Sequence, residues 1–134
     1  MKHEIVEEKG YKGYKYIIKY IYTESLPEEL AKLYQIEVYP AWYCGYVVIP
    51  KDHILYGIKR FDDKRLMNLG VHGGITFSGI LTTLNGENEF CIGFDCAHYN
   101  DSPLIQNQDY VREECKSLIN QIIKKESLSE NRRN

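Results

Sequence analysis

The residues best suited to chemistry lie in two neighbouring segments, and the first of these begins at His72. Gly73 and Gly74 follow the histidine directly, so their backbone N–H groups lack side-chain cover and can approach an anion or a carbonyl oxygen closely. Thr76 and Ser78 lie two residues apart and would present their hydroxyls on one face of a strand. A tight turn with His72 as its cap explains the same residues, and both interpretations stay open.

The second segment spans residues 93–101 and presents Asp95, His98 and Asp101 directly after an apolar stretch. Carboxylates beside a histidine can fix the tautomer of the imidazole and raise its basicity, which is common in active sites and binding sites. The alternative is that both aspartates bond to the backbone and shape the exit from the strand, because Asx turns are frequent at such positions.

A predicted hairpin brings the two segments together. The β-rich stretches at residues 74–83 and 89–94 flank an Asn-Gly pair, and both of these residue types tolerate the positive φ of a tight turn. Antiparallel pairing about this turn would place His72 beside Asp95 and His98. We therefore expect one polar pocket rather than two separate features.

Three chemistries could use this pocket. A zinc ion would need three or four ligands, but the spacing of the candidates matches no standard zinc motif, and we predict no bound metal or other cofactor. A nucleophile–base pair of Cys96 and His72 is suggested only by the residue types. The candidate zinc ligands are His72, His98, Cys96 and Asp95.

Recognition without catalysis is the interpretation that the sequence favours. Backbone amides and hydroxyls would hold phosphates or other polar groups, while aromatic side chains enclose a flat ring. The chain has 12 tyrosines, although an AT-rich coding background explains this excess as well. Candidates for the aromatic wall are Trp42, Tyr43 and Tyr56, and candidates for a cationic rim are Lys51, Arg60 and Arg65.

The remaining pattern predicts an α+β fold, with a mostly antiparallel sheet of five to seven strands, a short helix and a C-terminal amphipathic helix. A capping box predicts the short helix at residues 25–34, and apolar residues at helical spacing predict the long helix at residues 108–125. The apolar run at residues 46–49 suits a central strand. The predicted strands lie at residues 4–8, 14–22, 36–39, 43–49, 74–83 and 89–94, with a single helical turn at 54–56 and a charged loop at 57–69.

Length and composition fit one globular domain at residues 1–126 and a disordered tail at residues 127–134. The net charge of −2 argues against duplex nucleic acid as a partner. No apolar run approaches the length of a membrane span, so we expect no membrane partner. The N-terminus leads into charged residues instead of an apolar run, so we expect no secretory signal and a cytoplasmic location. In that compartment the four cysteines, which lack CxxC spacing, are expected to be reduced thiols.

Three motifs in this order resemble those of a group of small, uncharacterised phage and prophage proteins. They are GYVVIPKDHILYG at residues 45–57, HGGITFSG at residues 72–79 and GFDCAHYND at residues 93–101. The resemblance implies a phage-related origin and a bacterial host cell. It adds His53 to the candidate site residues and supports His72, Asp95, His98 and Asp101.

The leading hypothesis is a phage-type anti-defence protein that binds and sequesters a small nucleotide-like signalling ligand, in the form of a homo-oligomer. The anti-defence role is an analogy with other small phage proteins. The alternatives are a His/Asp-dependent hydrolase that acts on a small phosphorylated or nucleotide substrate, and a protein that inhibits a host defence enzyme by binding it. The predicted ligand-binding residues are His72, Gly73, Gly74, Thr76, Ser78, Asp95, His98, Asp101, His53 and Tyr56.

Overall fold

The computed structural model describes residues 2–22, 41–60 and 62–133, with side chains to residue 128. The helix predicted at residues 25–34 and the strand predicted at residues 36–39 lie outside the described residues. The described elements are β1 (Lys2–Tyr11), β2 (Tyr14–Tyr22), β3 (Ala41–Val48), α1 (Lys64–Met67), β4 (Phe77–Thr82), β5 (Asn88–Asp95) and α2 (Gln108–Arg133).

The five described strands form one sheet in the order β1-β2-β3-β5-β4, and each neighbouring pair is antiparallel. β3 lies in the centre, as the apolar run at residues 46–49 predicts. The predicted hairpin about Asn85 and Gly86 is present, with Phe77 opposite Gly93 and Thr82 opposite Asn88. The prediction of an α+β fold with an antiparallel sheet, a short helix and a C-terminal helix is confirmed.

α2 packs across one face of this sheet. Its apolar stripe is fully buried, as the helical spacing of the stripe predicts. Strand side chains alternate between the two faces, so a second apolar cluster occupies the face away from α2. The stripe consists of Val111, Cys115, Leu118, Ile119 and Ile122, and it meets Tyr16, Ile18, Val47, Ile92 and Phe94. The second cluster contains Ile17, Ile21, Cys44, Tyr46, Leu81 and Cys91.

Gly45 lets α2 approach the central strand closely. A Cβ atom at this position would lie 2.6 Å from the Phe94 ring and 2.7 Å from Cys115 Sγ, closer than side-chain atoms tolerate. The helix therefore fits against β3 only because this residue has no side chain. All four cysteines are free and buried, in agreement with the predicted reduced thiols.

Four described segments differ from the sequence predictions. Residues 54–56 form successive turns instead of a helix. The predicted charged loop contains a short helix, α1, because the Asp63 side chain caps it by accepting from Arg65 N–H at 2.9 Å. β4 begins three residues late, because Gly73 and Gly74 adopt positive φ before it. α2 continues to Arg133, past the predicted end of the helix at residue 125, since no glycine or proline interrupts it. None of the described helices combines the length and apolar character that a membrane-spanning segment requires.

A buried charged network fixes the first turns of α2 to β1. Arg112 binds Glu7 through two hydrogen bonds, from Nε to Oε2 at 2.7 Å and from Nη2 to Oε1 at 2.6 Å. The Tyr16 hydroxyl donates to Oε2 at 2.6 Å, and Gln108 Nε2 donates to Oε1 at 3.0 Å. The Arg112 hydrogen bonds, helped by those from Tyr16 and Gln108, outweigh burial and lower the pKa of Glu7 from 4.5 to about 2. This network sets the position of the helix that also reaches the candidate site.

The substitution Glu7→Gln should therefore destabilise the protein in a pH-dependent way. Because the folded-state pKa lies below the ordinary value, the carboxylate stabilises the fold above pH 4.5, and this contribution is lost as the pH falls toward 2. A pKa shift of this size corresponds to a contribution of about 3 kcal/mol to the free energy of unfolding. We expect urea unfolding to show that Glu7→Gln lowers the free energy of unfolding by up to that amount at neutral pH. This difference from the wild type should shrink as the pH approaches the folded-state pKa.

Glu4→Gln is the matched control, since Glu4 lies exposed on the same strand. Its free energy of unfolding should follow that of the wild type at every pH. If the free energy of unfolding of Glu7→Gln differs from that of the wild type by the same amount from neutral to acidic pH, Glu7 is not ionised preferentially in the folded state.

Candidate functional site

The β4–β5 hairpin places the His72 turn beside the segment that follows β5. The pairing continues past the start of β4, where Thr76 N–H donates to Gly93 carbonyl oxygen at 2.9 Å. The rings of His72 and His98 lie 5.6 Å apart between centroids, at an interplanar angle of 60°. The two segments thus meet at one end of the hairpin, as the sequence predicts.

Asp101 is the centre of this arrangement. Its Oδ2 atom lies 2.9 Å from His72 Nε2, 3.0 Å from His98 Nδ1 and 3.0 Å from the backbone nitrogen of His98. Its second oxygen lies 3.0 Å from His72 Nε2. A carboxylate can only accept, so with neutral imidazoles the protons reside on His72 Nε2 and His98 Nδ1. One carboxylate therefore orients two histidines.

α2 holds His72 from the other side. The Tyr110 hydroxyl lies 2.8 Å from His72 Nδ1, and the backbone N–H of His72 donates to Glu114 Oε1 at 2.9 Å. Asn107 fixes the start of α2, because its side-chain oxygen accepts from Tyr110 N–H at 2.9 Å. Sequence reasoning missed Tyr110 and Glu114. Their spacing of four residues, which puts both on one side of the helix, is the signal that could have found them.

The second ring nitrogen of His98 lies toward Asp95. The side chain is 38% exposed, and Nε2 lies 3.8 Å from Asp95 Oδ1. Asp95 is itself fixed, because Oδ2 accepts from the Thr76 hydroxyl at 2.8 Å and Oδ1 accepts from Ala97 N–H at 3.1 Å. Thr76, Asp95, His98 and Asp101 thus form one continuous chain of polar contacts.

Gly73 makes room for the His98 ring. Its φ is +69°, and a Cβ atom at this position would lie 2.1 Å from His98 Cε1. Gly74 has a similar φ of +81°, but a Cβ atom there would meet no atom within 4 Å. Gly73 is therefore needed for two reasons: it adopts the positive φ of the turn, and its missing side chain leaves space for the His98 ring. Gly74 is needed only for the positive φ of the turn.

The charges of this cluster are dominated by carboxylates. Burial acts to raise the pKa of Asp101, but the hydrogen bonds from His72 and His98 outweigh it and lower that pKa. Asp95 and Glu114 add two more carboxylates within the contacts described above. Burial also raises the pKa of the Tyr110 hydroxyl, with Glu114 adding to the effect. Neutral imidazoles would leave the cluster with a net negative charge.

Two other predicted residues near the hairpin have different surroundings. Cys96 is buried, and burial, with Asp101 nearby, raises the pKa of its thiol to about 12. A thiol in this state is a poor nucleophile and a poor metal ligand, so the geometry does not favour the Cys96–His72 pair. The Ser78 hydroxyl donates to the Ile58 carbonyl oxygen instead of facing the histidines.

The structure does not bring His53 and Tyr56 into this cluster. The buried ring of His53 accepts from Leu55 N–H at 3.0 Å and lies 3.2 Å from the Ile122 carbonyl oxygen. Ile122 is three turns beyond Tyr110 on α2, a distance of about 18 Å. The Tyr56 ring packs against Phe90, near the opposite end of β5 from Asp95.

Residues that were predicted to form an aromatic wall and a cationic rim of the pocket make other contacts instead. Tyr43 packs against Tyr20, with ring centroids 4.9 Å apart, and Trp42 borders the apolar cluster on the second face. Arg60 and Arg65 pair with neighbouring aspartates, Asp62 and Asp63. The exposed aromatic residue nearest in sequence to the histidines is instead Tyr99, which follows His98, is 95% exposed and was not predicted.

Chemically, the cluster offers hydrogen-bond acceptors, two imidazoles and one exposed aromatic ring. Within the described part of the chain, one ligand atom from each of His72, His98 and Asp101 lies within 4.8 Å of the others, as a metal site requires. Comparisons with protein-family models, with curated proteins and with solved structures give no match. The assignment of a role to this cluster therefore depends on its geometry.

The two glycines provide a matched test of the His98 position. Ala at either site has the same backbone strain, so Gly73→Ala and Gly74→Ala should each destabilise the fold by about 1 kcal/mol or more. Only Gly73→Ala should displace the His98 ring. We expect the NMR shifts of the His98 ring protons to change strongly in Gly73→Ala and little in Gly74→Ala. Equal changes in both variants would contradict the close fit.

Proposed function

We propose that this chain binds a small nucleotide-like ligand at the His72–His98–Asp101 cluster and sequesters it. One observation carries the proposal: Asp101 holds two imidazoles in place at the surface, beside an almost fully exposed tyrosine, Tyr99. Rigid polar groups next to an exposed aromatic ring are what recognition of a flat, polar molecule requires.

Each part of the cluster has a role in this proposal. A protonated imidazole donates a charge-assisted hydrogen bond to a phosphate oxygen, and His98 Nε2 is the ring nitrogen that does not contact Asp101. Tyr99 follows His98 directly and offers its ring for stacking on a base. The Thr76 hydroxyl oxygen and the Asp95 carboxylate can accept hydrogen bonds from sugar or base groups. His53 and Tyr56, which lie elsewhere, are not part of the proposed site.

The wider biological role follows from the motif resemblance and remains part of the proposal. A phage-type protein that captures a nucleotide signal would act against a host defence system, in the cytoplasm of the bacterial host. The predicted homo-oligomer belongs to the same proposal. The three motifs at residues 45–57, 72–79 and 93–101 support the phage-related origin, and the anti-defence role extends it by analogy with other small phage proteins.

A specific feature favours hydrolysis as the second candidate function. Asp101 orients His98 through Nδ1, so Nε2 is the ring nitrogen that Asp101 does not contact. A histidine held in this way can transfer a proton to or from a bound substrate. Asp101 would then be a positioning residue. Sequestration and hydrolysis use the same site and differ in the fate of the bound molecule.

The test is to incubate the protein with a panel of linear and cyclic nucleotides and measure the melting temperature. A ligand at 100 times its Kd stabilises the native state by about 2.7 kcal/mol, which corresponds to a rise of roughly 10 °C. Denaturing the complex and analysing the released molecule then separates the two functions. Intact nucleotide indicates sequestration, and a new product indicates hydrolysis.

Variants connect the result to the site. We expect His98→Ala and Asp101→Asn to abolish the rise in melting temperature, because each removes part of the oriented pair. His3→Ala is the matched control, since His3 is exposed on β1 at the other edge of the sheet. If no nucleotide stabilises the wild type, or if His98→Ala responds like His3→Ala, the proposed site is wrong.

A further inference from the structure

We propose that His72, His98 and Asp101 hold one divalent transition-metal ion. The three ligand atoms are His72 Nε2, His98 Nδ1 and a carboxylate oxygen of Asp101, and they lie within 4.8 Å of one another. Two imidazoles and one carboxylate are the ligand set of many zinc and non-haem iron sites. The metal assignment depends on this geometry, and only the role of the ion toward a ligand rests on the proposed function.

Two of the three distances match those between ligands of one ion. Asp101 Oδ2 lies 2.9 Å from His72 Nε2 and 3.0 Å from His98 Nδ1. An ion bound at about 2.1 Å from each ligand needs ligand atoms that are about 3.0–3.4 Å apart. These two distances need to change by only a few tenths of an ångström, whereas the two imidazole nitrogens, which lie within 4.8 Å of each other, would have to come to about 3.4 Å. The ion would take the place of the two protons that now lie between the carboxylate and the rings.

Both histidines have a partner on the nitrogen that would not bind the ion. The Tyr110 hydroxyl lies 2.8 Å from His72 Nδ1, and Asp95 Oδ1 lies 3.8 Å from His98 Nε2. Metal-bound histidines usually have such a second contact, which fixes the ring and its tautomer. When the ion displaces the protons on the inner nitrogens, each outer nitrogen carries a proton; that of His72 is within hydrogen-bond distance of the Tyr110 hydroxyl, whereas that of His98 faces Asp95 at the longer distance of an ion-pair contact. Each of the two histidine ligands thus has a second contact besides the ion.

The fold also keeps the site rigid and accessible. The ligands come from the His72 turn and from the segment after β5, which the hairpin joins, and Gly73 gives the His98 ring its space. His98 is 38% exposed, so one side of the cluster faces solvent. Three protein ligands with an accessible side are typical of metal sites that also bind a water molecule or a substrate.

The ligand types select the class of ion. Imidazole nitrogens favour zinc and related transition metals, whereas magnesium and calcium prefer oxygen ligands. A divalent ion would also offset the carboxylates of Asp95, Asp101 and Glu114, which otherwise repel an anion. In the proposed function, this positive charge would attract a phosphate group to the cluster.

The test uses the tag-free chain after treatment with a chelator, titrated calorimetrically with zinc alone and with magnesium alone. We expect one zinc ion per chain and an affinity for magnesium at least about 100-fold weaker. Asp101→Asn and His98→Ala should each lower the zinc affinity about 100-fold or more, while His3→Ala should bind like the wild type. Tyr110→Phe should lower the affinity about 10-fold, because it removes only an outer contact.

Cobalt substitution identifies the ligands independently. A cobalt-loaded chain should show visible d–d bands without a sulfur-to-cobalt charge-transfer band, since Cys96 is not a ligand. Zinc binding that is retained in Asp101→Asn, or absent in the wild type, overturns the metal proposal, and so does a sulfur band. None of these titrations contains a nucleotide, so the ion can bind even if every nucleotide fails to stabilise the protein. That result would reject the proposed function and leave the metal site standing.

Discussion

Arg112 and Glu7 form the contact that fixes the first turns of α2, and with them Tyr110 and Glu114, relative to the sheet. They join α2 to β1 across 105 residues of sequence, and two hydrogen bonds define their relative orientation. Tyr110 and Glu114 lie two residues before and after Arg112, on the other side of the helix, where they hold His72. A buried ion pair stabilises a fold only when its remaining hydrogen bonds are satisfied, and Glu7 meets this condition. The sheet and the site are therefore connected through one helix.

Local patterns in the sequence were sufficient to predict most of the described fold. The hairpin follows from an Asn-Gly pair between two β-rich stretches, and the apolar stripe of α2 follows from helical spacing. The same hairpin predicts that His72 and His98 are neighbours, because antiparallel strands bring their outer ends together. These features depend on residues that are close in sequence, which is why periodicity and turn chemistry reveal them.

The parts that sequence reasoning missed depend on contacts between distant segments. Tyr110 reaches His72 only because α2 docks at Gly45, and no periodic pattern encodes that docking. His53 belongs to a conspicuous motif, yet its ring bonds to the far half of α2. The central role of Asp101 also escaped prediction, since an aspartate that shapes a turn and one that orients two imidazoles look alike in sequence.

The sequence separations of the contacts carry a consequence for folding. His72 and Asp101 are 29 residues apart, whereas Glu7 and Arg112 are 105 residues apart. Closing the shorter loop costs less chain entropy, so the hairpin and its polar cluster can form before the helix docks. The same difference allows the β1 edge to open locally while the cluster persists. Hydrogen exchange should then be faster at β1 than at β5, and a bound ion or ligand would protect the hairpin selectively.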